Sequence, residues 1–246
     1  MNEIAVQTSQ LTRKFGDFFA VNGVSIQVKR GEIFGFLGAN GAGKTTMIRM
    51  LCGLLKPTAG EGKVAGFDVY TQSEQIKKNI GYMSQKFSLY NDLTISENID
   101  FYGGIYGLPP ADIEGKKNEL LENLHLTPWR DRLTGALPPG FKQGLALGAA
   151  LLHDPAIVFL DEPTSGVDPA SRRAFWNLIY QTATRGITVF VTTHFMDEAE
   201  YCHRISIMNA GKIIALDKPD ALRKKYQLPS IQSVFVHLMR ETTIRP

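Results

Sequence analysis

The loop at residues 38–46 has the residue types and spacing of a polyphosphate-binding site. Its first eight residues read GANGAGKT and match the pattern G-x-x-x-x-G-K-[ST]. The pattern follows an apolar run and precedes a helical one, which is the context that the motif requires. Glycines let backbone N–H groups approach phosphate closely, and the start of a helix adds a favourable dipole. The sequence therefore predicts a nucleoside triphosphate site here.

Individual residues of this loop have expected roles. The Lys44 ammonium would reach the β- and γ-phosphates, and the Thr45 hydroxyl would ligate Mg²⁺. The competing interpretation is a glycine turn with a surface lysine, which leaves the flanking strand and helix patterns without a role. The residues expected to bind the nucleotide are Asn40, Gly41, Ala42, Gly43, Lys44, Thr45 and Thr46.

Two acids at the end of an apolar run supply the second half of such a site. Residues 156–160 read AIVFL and lead straight into Asp161 and Glu162. An acid at the end of a buried strand is costly unless it serves a ligand or a partner. We expect Asp161 to hold Mg²⁺, mostly through water, and Glu162 to orient and polarise an attacking water. The alternative is that both acids cap the following turn.

The scaffold that must position these residues is an α/β fold. Short apolar runs alternate with helical patterns, which predicts a mainly parallel sheet. Some of the runs lack polar alternation, as expected of strands covered on both faces. The predicted strands are residues 4–9, 24–28, 32–37, 80–83, 156–160, 187–192, 204–208 and 212–217. The predicted helices are residues 44–53, 95–106, 111–125, 140–153, 170–185 and 196–202.

The pattern changes between residues 86 and 155, where helices dominate and no strand is convincing. We predict a helical subdomain over 86–155, inserted into an α/β core made of 1–85 and 156–228. Residues 229–246 are predicted to form a C-terminal amphipathic helix and tail, with Ser230 as the N-cap. Its apolar face packs either on its own domain or against a partner.

Composition and charge exclude several classes of protein. The 246 residues carry a net charge of +3. That charge suits a phosphate ligand or an anionic membrane surface but is too small to indicate nucleic acid, so no nucleic acid partner is expected. Cys52 and Cys202 are isolated, which predicts neither a disulfide framework nor a zinc site and fits a reducing cytosol. The sequence shows no membrane span and no signal peptide, so another chain would have to cross a membrane.

Residues 161–168 read DEPTSGVD and resemble the second Walker motif and D-loop of ATP-binding cassette (ABC) ATPases. The resemblance extends to about residue 240. It implies a P-loop NTPase fold with an antiparallel β region near the N-terminus, and ATP and Mg²⁺ as cofactors. It also implies that Phe15 stacks on adenine and that His194 contacts the γ-phosphate. The implied catalytic residues are Lys44, Gln85, Glu162 and His194, and the implied Mg²⁺ ligands are Thr45, Gln85 and Asp161.

One motif departs from the family pattern. Residues 137–144 read LPPGFKQG where the family usually has Leu-Ser-Gly-Gly-Gln, a signature that contacts ATP held by the opposite subunit. Pro138 lacks the serine hydroxyl, and Gly144 stands where a basic residue is usual, at a cost of about 1 kcal/mol in a helix interior. We expect slow hydrolysis rather than none. The residues implied to act across the dimer are Leu137, Pro138, Pro139, Gly140, Phe141 and Asp168.

Within the family, the sequence is similar to drug-export ATPase subunits. The similar segments are FGFL at 34–37, QKFSLY at 85–90 and THFMDEAE at 193–200. The implied function is head-to-tail dimerisation around two Mg-ATP, which drives export of a small molecule or drug through an integral membrane permease subunit. The chain would lie at the cytoplasmic face of the cell membrane. Its second ATP-binding subunit would be an identical chain or a paired cassette. The permease would dock on a groove lined by Phe87, Leu89 and Tyr90; the alternative is that these residues pack inside the helical subdomain.

Two other functions remain open at this stage. One is a soluble ABC ATPase that acts on ribosomes or DNA. A single cassette and the lack of a long coiled coil between Lys44 and Asp161 argue against it. The other is a catalytically weak, nucleotide-sensing subunit in which Pro138 and Pro139 spoil the composite site.

Overall fold

The protein is built on two β-sheets. In the computed structural model, residues 3–85 and 89–244 are described, and residues 242–244 through their backbone alone. The strands are β1 (Ile4–Phe15), β2 (Phe18–Lys29), β3 (Ile33–Leu37), β4 (Ala59–Val64), β5 (Phe67–Asp68), β6 (Ile80–Met83), β7 (Ile157–Asp161), β8 (Thr188–Thr193), β9 (Arg204–Asn209) and β10 (Lys212–Asp217). The helices are α1 (Lys44–Leu51), α2 (Ser73–Asn79), α3 (Ile95–Ile105), α4 (Pro110–Asn123), α5 (Pro139–Leu151), α6 (Pro169–Thr184), α7 (Pro219–Tyr226) and α8 (Ile231–Ile244).

Six strands form the central sheet, in the order β10-β9-β3-β8-β7-β6. Neighbouring strands are parallel except β9 and β10, which form a hairpin. The second sheet is antiparallel and has the order β2-β1-β4-β5. The prediction of an α/β fold with a mainly parallel sheet and an N-terminal antiparallel β region is confirmed.

The register of the parallel strands brings their carboxyl ends to one edge. Leu37 at the end of β3 pairs with Thr193 of β8. Asp161 at the end of β7 pairs with Thr192. Because the segments that follow parallel strands emerge at the same edge of a sheet, the glycine loop, the two acids and the segment after β8 lie together.

Apolar side chains cover the central sheet on both faces. In β3, Phe34 and Phe36 face the antiparallel sheet and helix α1, whereas Ile33 and Leu37 face the helices on the other side. Phe190 of β8 lies on the first face, with its ring centroid 5.9 Å from that of Phe36. Strands that are buried on both faces need no polar alternation, which accounts for their continuous apolar runs.

Among the described residues between β6 and β7, the regular elements are helices, joined by turns and loops, and the one β contact described is an isolated bridge between Thr94 and Leu133. Helix α5 lies directly against the backbone of β6. A Cβ atom on Gly81 would lie 2.2 Å from the carbonyl oxygen of Ala150, so only glycine allows this approach. The contact fixes the C-terminal end of α5 relative to the central sheet, at the opposite end of the helix from the signature segment.

Some predicted elements differ from the structure. The helix predicted over residues 196–202 is wrong, because these residues form only a short 3₁₀ turn, Glu198–Tyr201. The Glu198 carboxylate bonds to Thr164 and Thr193, so tertiary contacts rather than helical periodicity set this conformation. Elements β4, β5, α2 and α7 were not predicted. Strand β4 reads AGEGKV, too polar for an apolar pattern, and is held by pairing with β1.

The C-terminal helix α8 packs on its own chain. Ile231, Val234 and Leu238 are buried in the same apolar cluster as the helical face of the central sheet. Ser230 accepts a hydrogen bond from the Ser233 N–H at 3.2 Å, as expected of an N-cap. Of the two alternatives for this apolar face, the structure shows packing on its own domain.

Among the described residues, no helix has both the length and the apolar composition needed to cross a bilayer.

Candidate active site

The glycine loop joins β3 to α1 and is held from outside by the antiparallel sheet. Gly43 has φ 107°, and a Cβ atom there would lie 2.3 Å from the carbonyl oxygen of Ala20 in β2. Only glycine allows this close approach of two backbones. The Gly211 N–H donates to the Ala42 carbonyl at 3.0 Å, so the β9–β10 turn supports the loop as well. Asn40 and Gly41 form the exposed tip of the loop.

Lys44 lies at the first position of α1, with only 4% of its side chain exposed. Its Nζ donates to the carbonyl oxygens of Gly38 at 2.8 Å and Ala39 at 3.2 Å. The same atom lies 3.5 Å from Glu162 Oε1. The ammonium is therefore held inside the loop by acceptors that a phosphate group could replace. Thr46, two residues further along α1, is half-buried.

Asp161 ends β7 and is buried, with an exposure of 1%. Its Oδ1 accepts hydrogen bonds from Thr45 Oγ1 at 3.2 Å and from Thr192 Oγ1 at 2.6 Å. A carboxylate and a hydroxyl that face each other provide the oxygen ligands that Mg²⁺ prefers, so this pair fits the implied metal. The pKa of the nearby Tyr82 hydroxyl is raised to about 12, chiefly because this side chain is partly buried and also because Asp161 is negatively charged. The phenol therefore stays neutral.

Glu162 is the point at which the predicted catalytic residues meet. Its backbone has φ 49°, a left-handed conformation that is uncommon for glutamate. Its N–H donates to Thr192 Oγ1 at 2.9 Å, which holds this conformation at the end of β7. Glu162 Oε2 accepts from Gln85 Nε2 at 3.0 Å and lies 3.2 Å from His194 Nδ1. With Lys44, three side chains from separate parts of the chain contact this one carboxylate.

The side chains of Lys44 and Glu162 form a pair of opposite charges, 4% and 8% exposed. A buried charge without a partner is strongly destabilising, so each side chain requires the other when no ligand is bound. A triphosphate that entered the loop would give Lys44 a second anionic partner. Glu162 would then be free to accept a hydrogen bond from water.

Phe15 lies at the tip of the β1–β2 hairpin and is 46% exposed. The Arg13 guanidinium covers one face of its ring, 4.4 Å from the centroid. The hairpin continues into β2, where Ala20 contacts the glycine loop, so Phe15 lies on the hairpin that supports that loop. A half-exposed ring in this position is suited to stacking with a flat base.

The signature residues lie at the start of α5. Among the described residues, they contact α6 and the helical segment rather than Lys44 or Glu162. A Cβ atom on Gly140 would lie 2.6 Å from Ser171 Oγ, and the Phe141 ring lies 6.1 Å from Trp129. Pro138, Pro139 and Phe141 are exposed, whereas Leu137 is buried. The structure therefore places the signature apart from its own chain's loop and acids.

The glycine at position 144 is explained by packing. At Gly144, a Cβ atom would lie 3.1 Å from Leu124 Cδ2, so a small residue allows α5 to approach α4. Close packing is therefore a reason for glycine that the sequence did not reveal.

Asp168 is the N-cap of α6, and its carboxylate accepts hydrogen bonds from the N–H groups of Ala170 and Ser171, both at 3.0 Å.

Sequence reasoning missed several polar residues that organise this site. Thr192 hydrogen-bonds to both Asp161 and Glu162. Glu198 bonds to two further threonines and so joins the segment after Glu162 to the segment before His194. The available signal was the presence of polar residues within or just after strands that are otherwise apolar. The missed residues are Thr164, Thr192, Thr193 and Glu198.

Comparisons with known proteins agree with this geometry. The family model described as ABC transporter matches residues 21–165. A probable multidrug ABC transporter ATP-binding protein of Escherichia coli (strain K12) is 47% identical over 244 residues, which cover 97% of this chain and 42% of that protein. The chain thus spans less than half the length of this relative. A Nod factor export ATP-binding protein I of Rhizobium sp. (strain N33) is 38% identical over 92% of this chain and 75% of that protein.

Solved structures show the same fold. The structure of an ATP-binding subunit of an ABC transporter has a TM-score of 0.85 and 26% identity, covering 96% of this chain and 99% of that one. A dimeric ATP-binding cassette in a post-hydrolysis state, bound to ADP and Pi, has a TM-score of 0.77 and 26% identity. It covers 87% of this chain and 98% of that one.

Proposed function

This chain belongs to the ABC transporter family, and we propose that it is the subunit that binds and hydrolyses Mg-ATP to drive export of a small molecule or drug. One observation carries the proposal: the buried Glu162 carboxylate is contacted by Lys44, Gln85 and His194, directly after Asp161. This arrangement combines a phosphate-binding cation, a metal-binding acid and a base for water. One relative is named a probable multidrug ABC transporter ATP-binding protein and another a Nod factor export ATP-binding protein, which supports the proposal of export.

The chain's own residues would carry out hydrolysis as follows. Lys44 turns its ammonium from the carbonyls of the glycine loop towards the phosphates, and Thr45 and Asp161 hold Mg²⁺. The metal, when bound, neutralises charge on the phosphate oxygens. Glu162 accepts a hydrogen bond from the attacking water and orients it, while Gln85 and His194 keep the carboxylate in place.

The site would be completed by a second subunit, identical or paired. The first helical hydrogen bond of α5 runs from Lys142 N–H to the Pro138 carbonyl at 3.1 Å. The N–H groups of Gly140 and Phe141 precede it and have no intrahelical acceptor. They point outward from a helix N-terminus, which suits a phosphate held by the partner. Compared with the usual signature, Pro138 and Pro139 remove one hydroxyl and two N–H groups, but the N–H groups of Gly140 and Phe141 remain.

Disulfide trapping tests the head-to-tail arrangement. Asn40→Cys and Phe141→Cys, combined in one chain, should give cross-linked dimers under mild oxidation when Mg-ATP is present and far fewer without it. Cys52 and Cys202 are buried, so native thiols add little background. The matched control combines Asn40→Cys with Val236→Cys, a similarly exposed position on α8. Equal cross-linking of the two pairs, or no dependence on ATP, would rule out this dimer.

We further propose that an integral membrane permease docks on α3, with the chain at the cytoplasmic face of the membrane. Leu89, one of the docking residues predicted from sequence, is only 4% exposed and packs in the core, so that assignment was wrong. Phe87 lies outside the described residues. Among the described residues, Tyr90, Phe101 and Ile105 are exposed apolar side chains at or beside α3, and we call them the α3 surface.

The α3 surface has the form of a partner site. The rings of Tyr90 and Phe101 pack edge to face, with centroids 5.0 Å apart, and Ile105 is 61% exposed one turn further along. Phe101→Ala and Ile105→Ala should each weaken binding to permease-containing membranes by about tenfold, because central apolar contacts dominate interfaces. Leu54→Ala, at an apolar position with 51% exposure elsewhere, is the control. Unchanged membrane binding by both α3 variants would contradict this docking site.

Steady-state phosphate release from Mg-ATP tests the enzymatic proposal and separates it from nucleotide sensing. A sensing subunit would bind ATP but release no more phosphate than its Lys44→Ala variant, even with the permease present. The division into a core of residues 1–85 and 156–228, a helical subdomain of 86–155 and a C-terminal segment of 229–246 remains part of the proposal.

A further inference from the structure

Glu198 forms a buried polar connection behind the proposed catalytic residues. It has 0% exposure and lies at the start of the 3₁₀ turn that follows β8. Its Oε1 accepts from Thr164 Oγ1 at 2.5 Å, and its Oε2 accepts from Thr193 Oγ1 at 2.6 Å. Both threonines are 1% exposed. Hydrogen bonds to a carboxylate are among the strongest in proteins, particularly when water is excluded.

The two threonines flank the groups that meet at the active site. Thr193 directly precedes His194, and Thr164 lies two residues after Glu162. His194 Nδ1 and Glu162 Oε2 are 3.2 Å apart. The single carboxylate of Glu198 thus holds the chain on both sides of the His194–Glu162 contact. A shift of either threonine would change the distance between the imidazole and the base.

A cation on α6 balances the buried charge of Glu198. Arg172 Nε lies 3.6 Å from Glu198 Oε1, and its guanidinium covers the Phe195 ring at 4.0 Å from the centroid. The same guanidinium lies 3.6 Å from the Asp197 carboxylate. A buried carboxylate is costly without such a partner. Because Arg172 lies in the first turns of α6, Glu198 also connects the start of that helix to the two loops.

We propose that Glu198 is a positioning residue for ATP hydrolysis, which sets the distance between His194 and Glu162 through Thr193 and Thr164. The inference rests on the proposed function, since it concerns the same site. Glu198 has 0% exposure, so it would not touch the nucleotide or the attacking water. Its effect is on the geometry of the base and the histidine, and therefore on turnover rather than on ATP binding.

The Glu198→Gln variant isolates this role. It keeps the size of the side chain but replaces one acceptor oxygen by an NH₂ group. That NH₂ must face either Thr164 or Thr193, whose hydroxyl would then have to accept a longer hydrogen bond instead of donating a short one. Thr193 Oγ1 already accepts from the Phe195 N–H at 3.0 Å, so its freedom to reorient is small. At least one of the two loops should therefore shift.

The test compares Glu198→Gln with Glu200→Gln, the same change two residues away on a partly exposed side chain. We expect Glu198→Gln to lower kcat by about tenfold to hundredfold, because small misplacements of catalytic groups have effects of this size. The KM for ATP should stay within about twofold of the wild-type value, because contacts that bind ATP equally well before and during the reaction are unaffected. Thr164→Val and Thr193→Val should each reproduce the loss, and Glu200→Gln should not.

A double variant distinguishes positioning from general destabilisation. If Glu198 acts through the histidine, Glu198→Gln combined with His194→Ala should turn over no more slowly than His194→Ala alone. Multiplied losses in the double variant, or a rise in KM that matches the fall in kcat, would overturn the proposal. Histidine-labelled NMR of the nucleotide-free protein provides a readout that does not depend on hydrolysis. The His194 ring signals should move in Glu198→Gln and stay in place in Glu200→Gln.

The two readouts separate failure of this inference from failure of the proposed function. A wild-type protein that shows no hydrolysis above the Lys44→Ala control would contradict the function, whereas the His194 signals would still report on positioning. Unmoved His194 signals in Glu198→Gln would overturn the positioning role whether or not the protein hydrolyses ATP.

Discussion

Glu162→Gln should lower the turnover number for ATP by about 10²- to 10⁴-fold, the range expected for loss of a general base. The substitution keeps the shape of the side chain but removes the negative charge that orients and polarises water. Steady-state phosphate release measures the loss. Glu200→Gln, the same change on a partly exposed residue, should leave turnover within about twofold because it removes no contact at the site.

ATP binding should survive the same change. The Glu162 carboxylate lies 3.5 Å from Lys44 Nζ, so its removal frees the ammonium for phosphate and removes a negative charge near the γ-phosphate. Glu162→Gln should therefore accumulate an ATP-bound dimer, visible by size-exclusion chromatography with Mg-ATP. A variant that binds ATP but elutes as a monomer would count against the dimeric mechanism. A variant with wild-type turnover would remove Glu162 from the role of base.

Lys44→Ala should weaken ATP binding by about 10²-fold, because each hydrogen bond to a charged group is worth roughly 1.5–3 kcal/mol. Lys44 contacts both the glycine loop and Glu162 in the structure. Isothermal titration or a fluorescent ATP analogue measures the affinity. Lys56→Ala, at an exposed lysine just beyond α1, is the matched control and should bind normally.

The substitution also removes the partner of a buried carboxylate. Breaking such a pair costs about 3–5 kcal/mol when the remaining charge stays buried, so Lys44→Ala could lower stability as well as affinity. Thermal unfolding without nucleotide separates the two effects. Lys44→Arg keeps the charge and provides a second check. Compared with Lys44→Ala, it should recover more of the folding stability than of the affinity for ATP, because we expect the longer, planar guanidinium not to fit between the Gly38 and Ala39 carbonyls. Unweakened ATP binding by folded Lys44→Ala would contradict the role of the loop.

The parts of the site predicted from sequence were those encoded locally. The spacing of glycines, lysine and threonine at residues 38–45 specifies a loop between a strand and a helix. Strand β7 is apolar up to Asp161, its last residue, so the two acids at its end are conspicuous in the sequence. Both features depend on neighbouring residues, and the parallel sheet then brings them together because its strand ends share one edge.

The parts that were missed depend on contacts between distant segments. Glu198 is joined to Thr164 across 34 residues, and nothing in its local sequence shows that its carboxylate is buried. Its tertiary bonds also explain why the predicted helix is only a short turn. The role of Gly144 is similar: sequence alone showed a helix-weakening glycine, whereas the structure shows α5 packed closely on Leu124. Leu89 was assigned to a surface from its neighbours but is buried.

Phosphate release from Mg-ATP by the wild-type protein and by Lys44→Ala, measured side by side over a range of protein concentrations, tests the central claim most directly. We predict that the wild type releases phosphate, that its specific activity rises with concentration because the site requires two subunits, and that Lys44→Ala releases none above background. Equal release by the two proteins, with and without the permease, would contradict the assignment of this site as an ATPase.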